Sequence, residues 1–261
     1  SRIIEAKGLN ILQSMTSYKI IPTPLAVLHA CELLSKGTKT QQGRGDLLAV
    51  DIGGATTDVY SMASGEPTVD NTMLKGLPEP WMKRTVEGDL GMRYSLTHVF
   101  EQIPGADNSE NEYMQQVKAW VELCTARPDT LAAPGSEEEK LEEFLGRSAV
   151  SMAVERHCGR IADVFTPLGL MHTQEGKDLM NVPSVIGIGG VLRNSRRPEE
   201  ILKGSLYDFM HPECTKPRKP KFYLDQKYIF ASMGLLRSIN PELAFELLDK
   251  ETVEIGCNAT V

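Results

Sequence analysis

The sequence predicts an α/β fold in which a mixed sheet is flanked by helices. Two apolar runs, Leu47–Val50 and one within Val182–Ile188, suit strands that are buried on both faces. Stretches with apolar residues at helical spacing lie before, between and after them. With 261 residues and 41% hydrophobic content, the chain is also long enough to bury a sizeable core.

The first predicted helix precedes the first apolar strand. Thr23 is expected to cap it and Pro24 to occupy its first position, and it should run to Gly37. An earlier stretch, residues 2–15, has the pattern of a short helix interrupted by Gly8.

A hairpin is predicted next, from strands at Leu47–Val50 and Val59–Met62. Its tip reads Asp-Ile-Gly-Gly-Ala-Thr-Thr-Asp at positions 51–58. Gly-Gly between two strands is most often only a turn. The acidic and hydroxyl residues around it favour a cradle for magnesium and phosphate instead.

Each residue type at this tip has a role in such a cradle. Gly53 and Gly54 are expected to take positive φ and to bring N–H groups close to an anion, and Thr56 and Thr57 to add hydroxyl donors. Asp51 is expected to hold Mg²⁺ through its water shell, because this ion usually keeps several waters.

A second candidate phosphate seat follows a predicted strand at Trp81–Val86. Gly88, Asp89 and Gly91 form a turn that is expected to open a helix over Met92–Phe100, where backbone N–H groups attract anions. A simple helix cap by Asp89 is the alternative.

The middle of the chain is predicted to be helical from Asn111 to Arg127 and from Ser136 to Phe165. Ser136 and Glu139 have the spacing of a capping box. Together these stretches predict a helical insert at about 101–179, between core segments at about 1–100 and 180–261.

The second apolar strand ends in Gly189-Gly190, and Arg193 follows. Glycines at this point allow a flat ring to lie against the backbone. The alternative is an ordinary strand-to-helix turn with an exposed arginine. Further along we expect a basic surface loop at Lys216–Lys221 and then, in order, these elements: a short strand at Phe222–Leu224, a helix at Tyr228–Leu236 and a terminal helix at Ile239–Leu248.

Composition excludes several classes of function. A net charge of −7 and a pI near 5.4 argue against nucleic-acid or anionic-membrane partners, which need a basic surface. No apolar stretch approaches the ~18 residues of a spanning helix and no signal pattern opens the chain, so a cytoplasmic location is expected. Five widely spaced cysteines form neither a disulfide framework nor a metal motif.

The string at 51–58 resembles the second phosphate motif of the actin, sugar-kinase and heat-shock-chaperone ATPase superfamily, with Ala55 in place of a third glycine. Gly189-Gly190-x-x-Arg193 resembles the adenosine motif of its chaperone members, in which the arginine packs on adenine. The resemblance implies ATP and Mg²⁺ as ligands, with Asp51 and Thr56 in catalytic roles.

The order of motifs is similar to the second lobe of such an ATPase, which has a ribonuclease H-like fold. We therefore expect residues 1–261 to be a C-terminal lobe, starting at Ser1 inside a longer protein. An N-terminal lobe of the same protein would complete the site, and ATP hydrolysis is expected only with it.

Within this superfamily the chain is similar to the MutL (GlmL) family, accessory proteins of cobalamin-dependent glutamate mutase. The similarity includes the hairpin tip, Lys83–Gly91, Arg156–Gly159 and Gly176–Leu179. It implies an ATP-driven chaperone that reactivates the mutase by letting damaged cobalamin leave. An ATP-dependent hydantoinase or oxoprolinase, whose motif is similar, and an actin-like scaffold protein are the alternatives.

Overall fold

The computed structural model describes residues 20–167 and 169–257, so the predicted helix at residues 2–15 lies outside the described part. Helices and strands alternate through it, as expected for an α/β fold. The helices are α1 (Thr23–Lys36), α2 (Leu96–Glu101), α3 (Glu112–Ala126), α4 (Glu137–His157), α5 (Gly190–Asn194), α6 (Pro198–Leu202), α7 (Phe230–Leu236) and α8 (Pro241–Glu251). The strands are β1 (Leu47–Ile52), β2 (Thr57–Met62), β3 (Thr72–Lys75), β4 (Met82–Glu87), β5 (Arg160–Thr166), β6 (Gly169–Glu175), β7 (Ser184–Ile188), β8 (Lys221–Asp225) and β9 (Thr252–Cys257).

A mixed six-stranded sheet in the order β4-β2-β1-β7-β8-β9 forms the centre. Strand β2 pairs antiparallel with both β4 and β1. Strands β1, β7 and β8 run parallel to one another, and β9 pairs antiparallel with β8 at the edge of the sheet. This confirms the α/β class and the mixed sheet. The predicted hairpin is also confirmed, since Asp51 pairs with Asp58 and Ile52 with Thr57.

Helices cover both faces of this sheet. Along β1, Leu48, Val50 and Ile52 pack into a core with α2 to α6. The alternate residues, Leu47 and Ala49, pack into a second core with α1, α7 and α8. Burial on both faces explains why β1 is a continuous apolar run, since successive strand residues point to opposite faces.

Helix α1 begins one residue earlier than a Thr23 cap requires. Pro22 is its N-cap, Thr23 is its first residue, and the cap makes no side-chain hydrogen bond. Near its start, α1 crosses α7 so closely that a Cβ on Gly234 would lie 1.8 Å from the carbonyl oxygen of Ala26. Glycine at this position therefore sets the distance between the two helices.

Residues 101–179 are not helical throughout. After α4 the chain forms the antiparallel hairpin β5–β6, and β3 adds a parallel strand to make a second sheet, β3-β6-β5. The helical prediction for residues 160–165 is therefore wrong, and Phe165 is 84% exposed. The capping box is formed only in part. The hydroxyl of Ser136 accepts from the N–H of Glu139, as in a capping box, but the carboxylate of Glu139 accepts from the N–H of Gly135 instead of that of Ser136.

The two segments Arg156–Gly159 and Gly176–Leu179 meet at the base of this second sheet. The N–H of Gly159 donates to the carbonyl of Lys177 at 2.7 Å, and a Cβ on Gly159 would lie 2.8 Å from the backbone of Gly176. Lys177 is fully buried, and its ammonium donates to the hydroxyl of Ser61 at 3.2 Å and to the carbonyl of Trp81 at 2.6 Å. Burial lowers the pKa of Lys177 to about 8.

Near the C-terminal end of the chain, three expectations can be compared with the structure. The predicted strand and helices correspond to β8, α7 and α8, but α8 is followed by β9 and is not terminal. Lys216 does not belong to a surface loop, since it is buried and its ammonium donates to the hydroxyl of Ser151 at 2.9 Å. None of the helices in residues 20–167 and 169–257 is both long and apolar enough to cross a membrane.

His157, the last residue of α4, is buried between the hydroxyls of Ser61 and Thr85, at 2.8 and 2.9 Å. Burial and then the ammonium groups of Lys83 and Lys177 lower the pKa of His157 to about 3. The imidazole is therefore neutral in the folded protein at any pH near 7.

Acid should destabilise the fold through His157. Between pH 6.5 and about 3 the unfolded chain binds a proton on this residue that the folded chain does not. The stabilisation is complete above pH 6.5 and is lost as the pH falls, by roughly 1.4 kcal/mol per pH unit. Urea unfolding at pH 7, 6, 5 and 4 should show this loss for the wild type relative to His157→Asn. The control His98→Asn alters an exposed imidazole and should lose stability with falling pH as the wild type does. Equal pH slopes for the wild type and His157→Asn would contradict the assignment.

Candidate functional site

The hairpin tip and the Gly189-Gly190 turn lie side by side at one edge of the central sheet. Parallel pairing of β1 with β7 aligns Asp51 with Ile188, so the turn that follows β7 touches the start of the tip. Gly189 has φ +102°, and a Cβ there would lie 2.4 Å from the carbonyl oxygen of Ile52 and 2.8 Å from Oδ1 of Asp51. Only glycine fits this contact.

The tip is a tight turn whose backbone differs from the expected one. Neither Gly53 nor Gly54 takes positive φ, so that expectation is wrong. The N–H of Gly53 donates to the carbonyl of Thr56 at 2.9 Å. Among the described residues, the N–H groups of Gly54 and Ala55 have no hydrogen-bond partner, and they are among the donors that the tip can offer to an anion.

The two threonines of the tip differ in what their hydroxyls can reach. Thr57 is fully buried and its hydroxyl donates to the carbonyl of Leu90 at 2.5 Å, which fastens the tip to the next turn. The hydroxyl of Thr56 lies 3.3 Å from the carboxylate of Asp58 and is partly exposed. Thr56 is therefore the threonine with access to a ligand. Asp58 pairs with Arg84 on β4 at 2.5 Å and braces the hairpin.

Asp51 is partly buried, and among the described residues no donor lies within hydrogen-bond distance of its carboxylate. Burial and then the charges of Asp58 and Asp225 raise the pKa of Asp51 to about 6, against the opposing effect of Arg84. The carboxylate of Asp51 has no ion-pair or hydrogen-bond partner among the described residues, so a bound cation would stabilise its charged form.

The turn at residues 88–91 does not open a helix. Helix α2 begins only at Leu96 and has six residues. Asp89 makes a bidentate ion pair with Arg156 at 2.8 Å and also accepts from Gln102, which lowers its pKa to about 2. Its carboxylate thus ties the turn to α4. The backbone at Gly88 is open, with no atom within 4 Å of a Cβ added there.

Gly91 fits this turn against the hairpin tip. A Cβ on Gly91 would lie 2.3 Å from the carbonyl carbon of Ala55. The next two residues continue the contact, since the N–H groups of Met92 and Arg93 donate to the carbonyls of Gly53 and Gly54 at 3.0 and 2.8 Å. Gly91 is therefore required for packing.

A pocket of about 640 Å³ lies between the hairpin tip and the Gly189-Gly190 turn. Gly53, Gly54 and Gly190 line it, together with the first turns of α4 on the opposite wall. Arg193 lines a neighbouring pocket of about 560 Å³ on the other side of α5, and its guanidinium donates to the carbonyl of Gln226 at 3.1 Å. Asp51 lies outside both pockets, beside the Gly189 turn.

Comparison with known proteins gives the family. The model of a family described as MutL protein matches residues 1–252. The chain belongs to the MutL family. A relative named Protein MutL, from Clostridium tetanomorphum, is 44% identical over 257 residues, which is 97% of this chain and 55% of the relative. The chain thus spans about half the length of that MutL protein.

Two features of this MutL chain bear on the binding of a magnesium ion and a nucleotide. No group of three or more His, Cys, Asp or Glu side chains in the described residues is arranged to hold a metal. Mg²⁺ does not need one, because it binds through one or two carboxylates together with water and substrate phosphates. Asp51 offers one carboxylate without a partner, and a pocket of about 640 Å³ lies in the range of small-ligand sites.

The sequence predictions missed residues that shape this site. Asp225 ends β8 at the same sheet edge, and its carboxylate accepts from the N–H groups of Ile229 and Phe230. An aspartate directly after an apolar strand was the available signal. Arg84 and Arg93 gave none, because arginines on a strand or near a turn are common.

The glycines of the site divide into two groups that stability measurements can separate. Gly91→Ala and Gly189→Ala should each lower the free energy of unfolding by about 2 kcal/mol or more, because each Cβ would overlap backbone atoms. Gly54→Ala and Gly190→Ala should change it by less than about 1 kcal/mol, since their Cβ atoms meet nothing closer than 3.6 Å. Urea unfolding of the four variants tests this, and equal losses in both groups would refute it.

Proposed function

We propose that this chain is the ATP-binding C-terminal lobe of a MutL protein, with a ribonuclease H-like fold. The observation that carries the proposal is the meeting of the hairpin tip with the Gly189-Gly190 turn around one pocket, beside the unpaired carboxylate of Asp51. The fold is proposed on the resemblance of the motifs, and the mixed sheet supports it, since β7 and β8 run parallel to β1 on one side of the antiparallel strands β4, β2 and β1. The length of the relative supports an N-terminal lobe outside this chain.

In this proposal each residue of the site has a defined role. The N–H groups of Gly54 and Ala55 and the hydroxyl of Thr56 bind phosphate oxygens. Asp51 orients a water of the Mg²⁺ shell and the attacking water. The ion neutralises phosphate charge when bound. Gly190 offers a flat surface for adenine in the pocket of the tip, and Arg193 offers a planar cation from the neighbouring pocket.

Gly88 and Gly91 have a supporting role. The open backbone at Gly88 leaves room for a phosphate, whereas Gly91 and the hydroxyl of Thr57 keep the tip in shape. Asp89 holds the turn against α4 through Arg156. The site is completed by the N-terminal lobe, and ATP hydrolysis requires both lobes.

The biological role that we propose is that of a cytoplasmic accessory factor for cobalamin-dependent glutamate mutase. Membership of the MutL family supports this role. The two-lobed architecture proposed above would couple hydrolysis to closure. ATP-driven movement of the lobes would open the mutase so that damaged cobalamin leaves.

Asp51→Asn tests the site in the full-length protein. Because Asp51 acts on Mg²⁺ through water, the variant should lose roughly tenfold to a hundredfold in magnesium-dependent ATP turnover and in the effect of Mg²⁺ on ADP affinity. Asp163→Asn is the matched control, since it removes an exposed carboxylate on β5. Wild-type turnover and wild-type magnesium dependence in Asp51→Asn would rule out the assignment.

The partner is tested by adding purified glutamate mutase or a hydantoin to the full-length protein. The mutase should copurify with the protein and increase its ATP turnover, and the hydantoin should do neither. Stimulation by the hydantoin alone would favour the hydantoinase class and overturn the reactivating role.

A further inference from the structure

The charges that line the pocket of about 640 Å³ are unequal. Three acidic residues of α4, Glu139, Glu142 and Glu143, face two arginines, Arg93 and Arg196. A ligand carrying several phosphate charges needs the opposite balance. Phosphate groups should therefore bind in this pocket next to one of the two arginines.

Arg93 lies directly over the hairpin tip. Its N–H donates to the carbonyl of Gly54 at 2.8 Å, and a Cβ on Gly54 would lie 3.6 Å from the Cβ of Arg93. The side chain is 16% exposed, so its guanidinium is largely withdrawn from water. It lies at the end of the pocket where the free N–H groups of the tip are found.

The guanidinium of Arg93 is held by two acceptors. Nη1 donates to the carbonyl of Met92 at 2.7 Å, and Nη2 donates to the carboxylate of Glu142 at 2.6 Å. Glu142 belongs to the second turn of α4, so this ion pair joins the helix to the hairpin tip. A phosphate oxygen and a carboxylate oxygen make the same charge-assisted hydrogen bond with arginine, and one can replace the other.

We propose that Arg93 is a phosphate-binding residue of the nucleotide site and that a bound nucleoside diphosphate or triphosphate takes the place of Glu142 on its guanidinium. The proposal rests on the nucleotide-binding function proposed above. Glu142 then keeps the guanidinium in position before the nucleotide binds, and binding releases the second turn of α4 from the tip.

Binding measurements on the full-length protein test this with ADP, adenosine and inorganic phosphate. Arg93→Gln should weaken ADP binding roughly tenfold to a hundredfold, because charge-assisted hydrogen bonds are lost, and should leave adenosine binding unchanged. Glu142→Gln should bind ADP as tightly as the wild type or more tightly, since the competing carboxylate is gone. Arg197→Gln is the matched control: it breaks a comparable ion pair to Glu143 of α4, and Arg197 does not line the pocket.

Four results would overturn the proposal. Equal weakening of ADP binding by Arg93→Gln and Glu142→Gln would show that the pair only ties α4 to the tip. Loss of phosphate binding in Arg93→Gln with intact ADP binding would indicate a separate phosphate site. Wild-type ADP affinity in Arg93→Gln would refute the role of Arg93 and leave the nucleotide site standing, whereas a wild type that binds neither adenosine nor ADP would refute both.

Discussion

The parallel pairing of β1 with β7 is the constraint on which the site depends. More than a hundred residues separate these strands in the chain, yet their register sets Asp51 beside Gly189. The contact leaves no room for a Cβ at Gly189, so the register and the glycine require each other. A one-residue slip would turn Asp51 to the opposite face of the sheet.

Electrostatics at this sheet edge follow from the same arrangement. Asp51, Asp58 and Asp225 come from three strands, and burial and then the charges of the other two carboxylates raise the pKa of Asp51. Asp58 is compensated by Arg84, and Asp225 by backbone N–H groups at the start of α7. Asp51 has no such partner among the described residues. The carboxylate of Asp51 is therefore the point of this sheet edge where a bound cation would be stabilised most.

The hairpin, the strand β7 and most helices could be predicted because burial on one or both faces imposes a period on the residues. The β5–β6 hairpin could not, because Ile161, Val164 and Phe165 have helical spacing by coincidence, and two of the three are exposed. Helix α4 ends at His157, and Gly159 then lies in close contact with Gly176, which sequence spacing does not reveal. The burial of Lys216 and the pairing of Asp89 with Arg156 likewise depend on residues far away in the chain.

Helix α4 connects regions that are otherwise far apart. Its 21 residues span roughly 30 Å, from the pocket at Glu139 to the base of the second sheet at His157. Its N-terminal part pairs Glu142 with Arg93, and its last residue places His157 between Ser61 and Thr85. A single helix therefore carries contacts to the hairpin tip at one end and to the central sheet at the other.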